Sequence, residues 1–186
     1  MAELGAAGVP LLCAGGLRCG CSRRYAILPS PVVRMIGEEI TLTRLGTVAK
    51  DIADALQHAS ANEHYAVISI ACRAAHAEVE LDNTTIEESY YRLLSGEMVS
   101  DDDLAKLENI ADAYDSKYLQ SQSKGDDPSV WYPTFRIARF VSCLALAFRQ
   151  RLSEGADEVL YEASSVFENP EPLLNDVRSS LDLPLS

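Results

Sequence analysis

Apolar and polar positions recur along most of this chain with a helical period, and in one stretch the polar positions almost vanish. Between Ile137 and Phe148 only Arg139 and Ser142 are clearly polar, within a run covering residues 134–152. A surface helix carries one apolar stripe, whereas a helix apolar nearly all round is normally buried among others. The run is shorter than the roughly 20 apolar residues a bilayer span requires, so it is predicted to be the centre of a helical domain. Residues 63–81 form a second nearly all-apolar segment. Its polar positions after Tyr65 are Ser69, Arg73, His76 and Glu80, spaced so that a helix places them on one line.

The remaining segments supply the helices that would cover these two. Leu45, Val48, Ile52, Leu56 and Ala59 recur at three- and four-residue steps, the mark of an amphipathic helix. Gly46 argues for a start later than Glu38. Thr84 and Thr85, each followed three residues later by a Glu, offer a capping box. Ile86, Tyr90, Leu93 and Leu94 give that helix its buried face, and Gly96 suits its left-handed end.

Ser100 is positioned to cap the next helix, with Asp101, Asp102 and Asp103 at its positive end. Three adjacent Asp fan around a helix and do not converge, so they are read as a helix start and not as a metal site. Residues 119–130 read as a polar loop, closed by Trp131-Tyr132-Pro133. After the central helix, Val159, Leu160, Ala163, Val166 and Phe167 give another stripe, and Asn169-Pro170 separates it from a last helix carrying Leu173, Leu174, Val177 and Leu181. No segment shows strand periodicity. The expectation is a single all-α bundle of six to seven mostly antiparallel helices over residues 35–186, built around two central apolar helices.

Residues 1–34 break every period with Gly, Pro and small residues. They are expected to be a flexible or disordered extension, with Met35 opening the folded body. Charge follows the same boundary. The whole chain carries −12, and residues 1–34 hold four Arg against Glu3, which is +3 and leaves −15 for the rest. So acidic a body repels phosphate backbones and anionic lipid; no nucleic acid and no membrane are expected as targets, and a basic protein partner is. Five Cys without framework spacing, and Arg residues that follow the apolar stretch near the start instead of preceding it, point to a reducing, cytoplasmic setting. Cys19-Gly-Cys21 lacks the usual two-residue spacer and no ligand set completes it, so no metal and no cofactor are expected.

Two constellations stand out as candidate sites. On the second apolar helix, Arg73 could clamp an anion with His76 as a titratable neighbour oriented by Glu80. The plainer reading makes them the solvated edge of a core helix, with His76 and Glu80 an i,i+4 pair, and we adopt it. The acidic loop with Asp126 and Asp127, followed by Trp131 and Tyr132, is the best candidate contact surface, although both rings could simply fold over the start of the central helix. Glu-x-x-His and His-x-x-x-His pairs, phosphate loops and nucleophile elbows are all missing. The sequence therefore reads as a small acidic binding or inhibitory protein for a basic partner. In charge and size it is similar to acidic immunity and antitoxin proteins, with no motif matched residue by residue. The alternatives are a small helical enzyme with a cleft around Arg73 and His76 and a homo-oligomeric structural unit; whether Arg73, His76 and Arg139 converge on one cleft is the observation that bears most on the choice.

Overall fold

The computed structural model describes residues 43–185, so the expectations for residues 1–34 and for a start at Met35 fall outside the described residues. The described chain is an all-α bundle: a 3-10 turn at Leu45–Thr47, then α1 Lys50–Leu56, α2 Ala61–Ala77, α3 Thr84–Leu94, α4 Asp101–Ser123, α5 Pro128–Arg149, α6 Ala156–Ser164 and α7 Glu171–Ser180. Among the described residues no helix is long and apolar enough to cross a membrane.

Local chemistry explains most of the boundaries. Ser60 and Glu63 close a reciprocal capping box on α2: the Glu63 amide donates to Ser60 Oγ at 3.3 Å and the Ser60 amide to the Glu63 carboxylate at 2.6 Å. Ser100 accepts from the Asp103 amide at 3.1 Å, as its position predicts. Gly96 takes the left-handed conformation after α3, with φ of 71°.

Two starts differ from the sequence reading. The cap of α3 is Asn83, whose Oδ1 accepts from the amides of Thr85 and Ile86 at 3.0 and 3.3 Å; an Asn one residue upstream outcompetes a Thr-based box because its carbonyl reaches two orphan donors. The expected loop over 119–130 shrinks to residues 124–127. α4 runs on to Ser123, and α5 starts at Pro128 with Asp127 as its cap, Oδ1 accepting from the Ser129 amide at 2.9 Å. Proline at the first helical position loses nothing, since that amide has no intrahelical partner. Pro133 then lies inside α5 and does not precede it. Toward the other end of the chain, the expected stripe before residue 60 also shifts. Leu45, Ile52 and Leu56 are buried but Val48 is 46% exposed, because the turn at Leu45–Thr47 interrupts the helical period.

α4 and α5 make the most extensive helix–helix contact in the bundle. Their pairings run Tyr118 with Phe135, Asp115 with Arg139 and Glu108 with Arg149; one index falls as the other rises, so the two long helices are antiparallel. Behind them α5 packs on α6, and α2 packs on α6 and α7. α5 is buried almost all round, through Ala138, Phe140, Val141, Cys143, Leu144, Ala145, Ala147 and Phe148. α2 buries a single stripe, Val67, Ile68, Ala71, Cys72 and Ala75, and turns Ala66, Arg73 and Ala77 to solvent. Ile70 is half-buried at the edge of that stripe. The two helices meet at Cys72 and Cys143, both fully buried free thiols with Sγ atoms 3.4 Å apart. The Cys72 contact and burial together push the Cys143 thiol well above its ordinary pKa.

Candidate functional site

Arg73 and His76 do not share a cleft with Arg139. Arg73 points to solvent from α2. His76 is half-buried and lies flat on the Tyr90 ring of α3, with centroids 3.9 Å apart and planes 5° from parallel. Its Nε2 is 3.3 Å from a Glu87 carboxylate oxygen. Glu80 is exposed beyond the end of α2 and does not orient the imidazole; helix α2 stops at Ala77, so the i,i+4 geometry expected of His76 and Glu80 does not form. The carboxylate beside His76 comes from the neighbouring helix instead.

Arg139 is directed into the bundle between α4 and α6. It pairs with Asp115 through Nη2 and donates from Nη1 to Glu162 Oε2 at 2.9 Å. The second oxygen of Glu162 accepts from Arg44 at 2.8 Å, and Arg44 also reaches Glu158 at 3.5 Å while lying 4.0 Å over the Tyr161 ring. One buried carboxylate thus bridges two guanidinium groups. Burial alone would lower the pKa of Arg139, but the Asp115 hydrogen bond and the Glu162 charge outweigh it and hold the value above the ordinary one. Protein carboxylates hold both Nη groups of Arg139, which makes the network a structural junction of α4, α5, α6 and the first turn. Nothing in the spacing around Arg139 names either partner, because both lie more than twenty residues away.

The aromatic pair sits in the first turns of α5. Trp131, Tyr132, Phe135 and Tyr118 form one cluster, with Tyr132 stacked on Phe135 at 6.0 Å and Tyr118 edge-on to Phe135 at 5.2 Å. Asp127 caps the helix, and Asp126 accepts from the Ser121 hydroxyl, tying the end of α4 to the link. The four residues expected together, Asp126, Asp127, Trp131 and Tyr132, are therefore adjacent at one end of the α4–α5 pair.

Beside them a surface groove runs along α5. Its first hollow, about 550 Å³, is lined by Pro128, Ser129, Tyr132, Pro133 and Glu168. The second, about 350 Å³, is lined by Glu78, Arg136, Phe167, Glu168, Asn169 and Pro172. Residues 128, 129, 132, 133 and 136 share one face of a helix, and Glu168 lines both hollows, so the two adjoin each other between α5 and the α6–α7 link. Arg136 is paired with Glu78, the residue that caps the end of α2, and lies 5.8 Å from the Tyr132 ring. Neither hollow touches Arg73, His76 or Glu80. The α6–α7 wall was not anticipated from the sequence: Phe167 is read there as part of a core stripe and Asn169-Pro170 as a helix start, and nothing in their spacing places this segment across from α5.

Among the described residues no group of three or more His, Cys, Asp or Glu could hold a metal ion. No family model matches the chain, and no curated protein or solved structure matches it either.

Proposed function

We propose that this protein is an acidic helical binding module that neutralises or inhibits a basic protein partner. The observation that carries this reading is where the charges go. Arg44, Lys50, Arg92, Lys106, Arg136, Arg139, Arg149 and Arg178 each lie within 4 Å of a carboxylate of the same chain. Most cations among the described residues are thus spent on internal ion pairs, and an acidic excess faces outward from Asp101, Asp102, Asp112, Asp126 and Glu168, all exposed. A field of one sign steers an oppositely charged protein and speeds its association. Enzymatic chemistry around Arg73 and His76 has less support, because the arginine is solvated and the histidine is stacked on Tyr90.

Affinity capture with the full chain at rising ionic strength tests the proposal. The expected result is one basic protein that binds again when purified and whose affinity falls steeply between about 50 and 300 mM salt, as screening of exposed charge requires. Capture of an acidic protein, or a complex indifferent to salt, would sink the reading.

A further inference from the structure

We infer that the groove between α5 and the α6–α7 link docks an extended segment of the partner protein that carries an Arg or Lys beside apolar side chains. The inference deepens the proposed function and rests on it. The chemistry of the groove is mixed in a way that a diffuse acidic surface is not. Tyr132, Pro133, Phe167 and Pro172 offer apolar walls to an aliphatic side chain. Glu168, shared by both hollows, is exposed and outside every ion pair recorded among the described residues. The cation in the groove, Arg136, is already neutralised by Glu78. Ser129 and Asn169 add neutral polar groups, so the available charge along the groove is the Glu168 carboxylate, set beside Tyr132, Pro133, Phe167 and Pro172; that combination is complementary to a guanidinium or ammonium with apolar neighbours.

Length fits the same occupant. From residue 128 to residue 136 a helix rises about 12 Å, which an extended chain spans in about four residues. Such short stretches dock in aromatic- and proline-lined channels without a folded partner surface.

The test uses the full chain and three pools of short peptides of equal length: Arg among Leu and Pro, Arg among Ser and Gly at the same net charge, and Glu among Leu and Pro. Trp131, the chain's one tryptophan, adjoins the groove through Tyr132 and reports binding by its emission. The expected result is preference for the first pool, a shift of Trp131 emission, and a loss of at least about fivefold in affinity on Glu168→Lys. Asp112→Lys makes the same charge change on an exposed position of α4 and should cost less than half of that in logarithmic terms.

If the Ser/Gly pool binds as well as the Leu/Pro pool, or if Asp112→Lys weakens binding as much as Glu168→Lys, the groove is not the site, while the acidic-surface reading stands. If neither basic pool exceeds the acidic one, both fall. A gain in affinity for the Leu/Pro basic pool, with none for the Ser/Gly pool of equal charge, on replacing Arg23 and Arg24 with Gln would assign the groove to the chain's own basic N-terminal segment. A doubled mass abolished by Glu168→Lys would assign it to a second copy. Either outcome overturns the partner segment as occupant.

Discussion

Arg73 in α2 and Arg139 in α5 look alike in the sequence, each a cation set among apolar residues in the middle of a helix. In the fold they are opposites. Arg73 is exposed on the one face of α2 that no helix covers. Arg139 keeps only 16% of its side-chain surface exposed and is held between Asp115 and Glu162, which are themselves 7% and 5% exposed. A guanidinium cannot shed its proton to enter a core, so the two arginines represent the two solutions available: reach water, or bring carboxylates inside. Which one applies is decided by the neighbouring helices and not by the helix that carries the residue.

The contrast can be broken most forcefully at Arg139. Replacing it with Met leaves Asp115 and Glu162 buried with one guanidinium fewer, and should cost about 3–5 kcal/mol in urea unfolding. Retention of parental stability would mean that water reaches the junction. The helices themselves sharpen the comparison next. Leu144→Ala, at a fully buried position of α5, should cost about 2–5 kcal/mol, and Ile70→Ala, half-buried on α2, should fall at or below the bottom of that range. Equal costs would show that α2 is as deeply enclosed as α5.

Arg178 provides an intermediate case. Its side chain is 6% exposed, but its partner Asp51 is 46% exposed. The Arg178 hydrogen bond holds the Asp51 carboxyl below its ordinary pKa. A depressed carboxyl contributes stability above the unfolded-state value near 4 and loses it as pH falls through the lower folded-state value. Solvent screening keeps the contribution to about 1 kcal/mol or less. Denaturation at decreasing pH below about 4 should therefore show an acid loss that Asp51→Asn removes; an unchanged acid limb in that variant would refute the pairing. The smallest effect is expected at Arg73 itself. Arg73→Met should change stability by no more than about 0.5 kcal/mol, and a loss beyond about 1 kcal/mol would reveal a partner for this arginine.

What the sequence made legible was local. The capping role of Ser100, the left-handed Gly96 and the stripe of Leu173, Leu174 and Val177 all depend on residues within a turn or two of one another, and periodicity reports such neighbours. The start of α5 was misplaced because Pro133 resembles a stop, whereas Asp127-Pro128 already forms a cap and first position. At the candidate site the aromatic pair was visible as composition, but the wall facing it was not. Phe167, Glu168 and Pro172 line the same hollows as Tyr132 and Arg136, some thirty residues away in the chain, and no pattern within α5 encodes them. The same limit hid Glu87 beside His76 and both partners of Arg139. Each of these contacts is made between helices, after the local structure has been set.

One consequence concerns the order in which the chain is made. The first turn is held to α6 by Arg44 and Glu162, 118 residues apart, and α1 is held to α7 by Asp51 and Arg178, 127 residues apart. During synthesis, the earliest of the described segments to leave the ribosome must wait for the latest before either can be fixed in place. The α4–α5 hairpin needs no such delay, since its pairings close over short stretches, and local contacts form fastest. A nascent chain halted after α5 would thus hold its hairpin early, and leave α1 unanchored until α7 has emerged.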